Sequence, residues 1–150
     1  MATTADRTTT TTTTAEGVAP GARRLYAIAI GLSALFVLFQ YFTSGEFITD
    51  GMPDDTKELW TNIHGFGAYP VMVFALIAAI VAFARLRGAR GLPIATGVYF
   101  VATVVQWLLG HAISTLGIDA LTPLHVVVAA VVMGLAVWLS VRSARLRRTV

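Results

Sequence analysis

The stretch Leu59–Ala84, LWTNIHGFGAYPVMVFALIAAIVAFA, contains no Asp, Glu, Lys or Arg. It exceeds the roughly 20 residues a helix needs to cross the ~30 Å hydrocarbon core of a bilayer. Three more runs share the property: Leu25–Gly45, Gly91–Ile118 and Ala120–Val141. None alternates in polarity as a membrane β-strand does. Backbone in lipid must also satisfy its hydrogen bonds within its own segment. The expected fold is therefore all-α, with four transmembrane helices.

Composition leads to the same class. Of the 150 residues, 56% are hydrophobic and only 13% charged. A soluble domain carries about a quarter charged residues, so this chain has too few to cover a water-facing surface. The length predicts one domain. There is no cysteine, which excludes disulfides, iron–sulfur clusters and thiolate metal sites. The net charge of +3 does not point to nucleic acid, because the arginines flank the apolar runs.

Those arginines set the expected topology. Arg23 and Arg24 precede the first run, and Arg85, Arg87 and Arg90 separate the second from the third. Arg142, Arg145, Arg147 and Arg148 end the fourth. The other two connections hold Lys57 against Glu46, Asp50, Asp54, Asp55, Glu58 and Asp119. The positive-inside rule places both termini of a multi-pass membrane protein in the cytoplasm. Short connections predict an up-down-up-down four-helix bundle. Residues 1–22, with threonines at every position from Thr8 to Thr14, read as a disordered leader, and residues 23–150 as the membrane domain. The first run is too long for a signal-peptide core, so it reads as an uncleaved anchor. Thr122 is expected to cap the fourth helix ahead of Pro123, Pro93 to lie in the first turn of the third, and Asp54 to cap an early start of the second. Pro70 removes one backbone bond from the second helix. Tyr41 and Trp60 fall where an outer aromatic belt is expected.

The chain's three histidines, His64, His111 and His125, fall at one depth under the outer surface. An ionisable group inside a span costs free energy and marks a functional site by default. In an up-down bundle the second and fourth helices are diagonal partners, which would allow His64 and His125 to face each other across the axis. Two imidazoles so placed are a donor set for one haem iron. Gln106 and His111 are candidates to tune the site or relay protons. Gly65 and Gly67, beside His64, and Gly110, beside His111, would admit a flat cofactor; close helix packing is the other use of such glycines. Gln40 is the other polar residue within a span. Trp107, Trp138, Tyr69 and Tyr99 read as packing residues or as the lining of a cofactor or quinone pocket.

The segments IHGFGAYPVMVFALIAAI, VVQWLLGH and LTPLHVVVAAVVMGL resemble a family of small four-helix bacterial membrane proteins with I-H-G on the second helix and L-H on the fourth. More distantly, residues 25–141 are similar to one half of haem A synthase. That resemblance implies His64 and His125 as axial ligands of haem b. The synthase pattern has a glutamate about one turn before its first histidine, where this chain has Trp60 and Thr61. Haem modification is accordingly not implied.

The expected function is a b-type haem protein for electron transfer or redox sensing near the outer face. It would work within the lipid bilayer, alone, as a homo-oligomer, or with a respiratory or other membrane complex. The alternative is an accessory or structural subunit without cofactor, its histidines serving as interfacial polar groups. A divalent metal on all three histidines is a third reading. The spans contain no carboxylate for a transporter, and no phosphate loop, nucleophile elbow or zincin signature is present.

Overall fold

The computed structural model describes residues 19–89 and 91–148, with side chains as far as residue 145. Four α-helices carry the fold: α1 (Pro20–Phe47), α2 (Asp54–Arg85), α3 (Leu92–Leu116) and α4 (Thr122–Arg148). A 3-10 turn, Asp119–Leu121, leads into α4. All four helices are long and apolar enough to cross a membrane. The leader's residues 1–18, Arg90, and the side chains of Arg147 and Arg148 lie outside the described residues. Pro20, Gly21 and Ala22, assigned to the leader from sequence, form the first turn of α1 instead. Proline at this position loses no helix bond, because the first amides of a helix have no partner within it.

Each of α1 and α3 packs against both α2 and α4, leaving α1–α3 and α2–α4 as the diagonals. The core follows a three-four rhythm along each helix, the spacing that keeps one stripe facing inward. On α2 the stripe is Val71, Ala75, Ala78 and Ala82, and on α4 it is Val132, Ala136, Leu139 and Ser143. Three alanines on α2 bring neighbouring backbones close, which is how membrane helices gain contact without a hydrophobic drive between them. The opposite faces remain uncovered. Leu38 is 59% exposed, Ile80 58%, Val101 59% and Val126 61%. Such surface on all four helices is far more than a water-soluble monomer tolerates, and it suits lipid.

Polar groups occupy the inner stripe as well. Tyr26, Ser33 and Gln40 succeed one another at two-turn intervals on α1. The Tyr26 hydroxyl meets Thr96 Oγ1 at 3.0 Å across the α1–α3 diagonal. Ser33 Oγ meets the Tyr99 hydroxyl at 2.7 Å and donates to the Val71 carbonyl at 2.9 Å. Donation to a carbonyl uses the serine proton, so Tyr99 must donate to Ser33. This layer ties three helices together in mid-bundle, and each such bond contributes about 0.6 kcal/mol in lipid. Tyr99 is thus a fully buried strut. Trp138 is 44% exposed, with the Arg142 guanidinium 5.0 Å above its ring.

Helix ends differ in detail from expectation. Pro93 does lie in the first turn of α3. Asp54, however, is the first residue of α2 and makes no capping bond. Pro53 takes the position before it, and Asp54 and Asp55 interact instead with the positive end of the helix dipole. Thr122 has helical dihedrals, φ −55° and ψ −45°, because the 3-10 turn has already wound the chain before α4 starts. Gly117 ends α3 at φ +68°. Its amide bonds Ile113 O and the Ile118 amide bonds Ala112 O, both at 3.2 Å, the paired closure that requires a left-handed residue. Helix α2 runs through Pro70 without a break.

Candidate functional site

Four helices contribute to one polar cluster at the end of the bundle where α1 finishes and α4 begins. Helix α1 supplies Gln40 and Thr43, α2 supplies His64, α3 supplies Gln106 and Gly110, and α4 supplies His125. The positions are two turns along from the mid-bundle layer: Gln40 from Ser33, His64 from Val71, and Gln106 from Tyr99. The rise of 1.5 Å per residue separates the two layers by about 10 Å.

His64 Nδ1 lies 3.1 Å from the Gln40 carbonyl and 3.0 Å from Thr43 Oγ1. A carbonyl can only accept, so Nδ1 carries the proton. The Thr43 hydroxyl donates to the same carbonyl at 3.1 Å and is thereby oriented to accept from the ring. His64 is held in the tautomer whose Nε2 is a bare lone pair, the form that ligates metals. Phe47 closes over this ring edge-on, with centroids 5.3 Å apart.

His125 is placed differently. Its Nε2 is 3.0 Å from the Gln106 side-chain amide nitrogen, while its Nδ1 is buried without a partner. Gln106 Oε1 and Gln40 Nε2 are likewise buried and unpaired. Three orphaned polar atoms around two histidines are unusual, since buried polar groups are nearly always bonded. Gly110 sets the depth of the His125 ring: a Cβ at this position would stand 3.1 Å from His125 Cε1.

The two imidazoles approach across the α2–α4 diagonal, with ring centroids 6.4 Å apart and planes inclined at 62°. Two imidazole nitrogens on opposite sides of one metal ion, each about 2.0–2.1 Å from it, put ring centroids about 6 Å apart. The separation and the donor chemistry both fit a shared metal centre. The Gln106 amide nitrogen can only donate, so His125 Nε2 accepts and Nδ1 carries the proton. His125 would offer a lone pair to a metal through Nε2 once Gln106 releases it.

Of the residues selected from sequence, His64, His125 and Gln106 come together. His111 does not. It is exposed on the outer side of α3, bonds Thr115 of its own helix at 3.2 Å, and stacks on Trp107 with centroids 5.6 Å apart. Among the described residues no group of three or more His, Cys, Asp or Glu could hold a metal ion, so a three-histidine centre does not form. Of the two uses expected of the glycines, the contacts at Gly67 and Gly110 are those of close helix packing. Gly65 faces outward, and a Cβ there would meet nothing within 4 Å. Gly67 makes room for the Gln40 amide, and Gly110 for the His125 ring; both clearances are filled by the protein's own side chains. Thr43 was not singled out from sequence. Its signal is positional, because it lies one turn beyond Gln40 on the same inward stripe of α1.

The chain matches no protein-family model, no curated protein and no solved structure, so neither family resemblance gains support there, and what stands is the chain's own architecture: a four-helix bundle of membrane-spanning character with a bis-histidine cluster at one end.

Proposed function

We propose that the chain is a multi-pass protein of a bacterial inner membrane that holds haem b between His64 and His125, for electron transfer or redox sensing. The observation that carries this reading is the 6.4 Å separation of two imidazoles on diagonal helices, one of them held in the metal-binding tautomer by Thr43 and the Gln40 carbonyl. When bound, haem supplies one-electron chemistry. The chain's own residues orient His64 and seat His125 against Gly110, with Gln106 beside it. The proposal includes an up-down-up-down course with both termini in the cytoplasm, supported by the arginine clusters at one set of helix ends. The pair then lies toward the outer face, where a respiratory or other membrane partner would meet it.

A second reading is favoured by a specific observation. The spaces over Gly67 and Gly110 are occupied by Gln40 and His125, and His125 already engages Gln106. The cluster would then be a polar lock between helices in an accessory subunit without cofactor. An absorption spectrum separates the two. Protein purified from haem-replete cells should show a Soret band that moves on reduction with dithionite. The band should vanish in His64→Ala and His125→Ala and persist in His111→Ala. A colourless preparation rejects the haem reading and leaves the lock.

A further inference from the structure

The outward face of α2 and α3 carries an unbroken ladder of rings. Phe66 and Tyr69 lie 6.4 Å apart by centroid, Tyr69 and Trp107 6.2 Å, and Trp107 and His111 5.6 Å with planes within 17° of parallel. Phe66 is 71% and Tyr69 48% exposed. Apolar rings facing lipid need no explanation. Polar atoms among them do. Among the described residues the Tyr69 hydroxyl has no hydrogen-bond partner, and His111 bonds only Thr115, through Nδ1. Neither side chain holds two helices together by a hydrogen bond. Unpaired donors on a hydrocarbon-facing surface are unfavourable unless something carries acceptors to them.

We propose that this face binds the head group of a membrane-soluble quinone. Such a head is flat and can stack on the ring face of Tyr69 or of Trp107, whose planes are inclined at 51°. Its carbonyls are acceptors for the Tyr69 hydroxyl and for His111 Nε2, which carries the ring proton when Thr115 donates to Nδ1. Its apolar tail would lie along the exposed Val73, Leu76 and Ile80 of α2. A phosphate head group would require a cation, and neither Leu59–Ala84 nor Gly91–Ile118 contains Lys or Arg. The proposal needs no haem and stands apart from the reading of the His64–His125 pair.

The test uses the full chain in lipid nanodiscs with an azido-benzoquinone carrying a decyl tail. After illumination, labelled peptides are mapped by mass spectrometry, with and without excess unlabelled decyl-ubiquinone. Labelling should concentrate on peptides containing Phe66–Tyr69 and Trp107–His111 and be suppressed by the competitor. Tyr69→Phe and His111→Leu, which remove polar atoms from a lipid-facing surface and leave the core untouched, should each weaken the competitor about five-fold, the effect of one hydrogen bond. Trp138→Leu should change nothing. Labelling spread over all four helices, labelling that resists the competitor, labelling confined to another face, or unchanged competition in both polar variants overturns the proposal.

Discussion

Three glycines at the histidine end of the bundle make a graded series, and their alanine variants test the seating of His125. At Gly65 a Cβ meets nothing within 4 Å. Gly65→Ala should stabilise by about 0.5–1 kcal/mol, because alanine loses less backbone freedom in a helix. At Gly67 a Cβ lands on the Gln40 amide. That amide is the far end of a flexible side chain with an unbonded nitrogen, so it can swing away and the variant should be near neutral. At Gly110 a Cβ would stand 3.1 Å from His125 Cε1. The ring must yield by a few tenths of an ångström, but Gln106 holds it at 3.0 Å and His64 lies beyond it. Overpacking of this kind costs about 1–3 kcal/mol. The helix-propensity gain is common to all three, so Gly110→Ala should fall below Gly65→Ala by about 1–3 kcal/mol. Reversible unfolding in mixed micelles reads the series. In a His125→Ala background the deficit of Gly110→Ala should disappear, since nothing remains to collide with. If Gly110→Ala is as stable as Gly65→Ala, or its deficit survives removal of His125, the ring is not seated against α3 and the geometry of the pair is wrong.

Ser33→Ala leaves the Tyr99 hydroxyl buried without its acceptor and should cost about 1–2 kcal/mol of unfolding free energy. Adding Tyr99→Phe should recover part of the loss, a sign only a direct Ser33–Tyr99 bond explains. Gly117→Ala forces a side chain into the left-handed region and should cost about 1–2 kcal/mol, read by the same unfolding assay. The absence of cysteine permits single-cysteine topology mapping without background. Asp55→Cys should react with an impermeant thiol reagent in intact cells, and Arg87→Cys only after permeabilisation; the reverse pattern inverts the proposed orientation. Thr43→Val keeps the shape of the side chain but removes one acceptor from His64. It should leave folding within about 1 kcal/mol of the parent and, where haem is present, lower its retention during purification.

The two polar layers show how the bundle tolerates hydrogen-bonding groups in an apolar setting. The Ser33–Tyr99–Val71 layer is fully satisfied and behaves as structural glue. The histidine layer, two turns away, leaves three polar atoms unpaired. Orphaned groups are costly where no water reaches them. A layer left incomplete beside one that is complete is the physical ground for placing function at the histidines.

Much of this was legible in the residues alone. Uncharged runs longer than a bilayer is thick specify membrane-crossing helices, because lipid offers the backbone no other partner. Arginine clusters bias the orientation, and His64, His125 and Gln106 were selected on polarity and depth. What only the tertiary structure decided is where each side chain points. His111 shares the depth of the other two but lies on the outer side of α3, and one-dimensional spacing cannot show that rotation about the helix axis. Thr43 became a partner of His64 only through the packing of α1 on α2. The glycines kept their role of clearance, but the clearance proved to be for Gln40 and His125. Span length is a property of a segment and is written in the sequence. Helix rotation is settled only when four stripes compete to face inward, so the composition of the site belongs to the bundle.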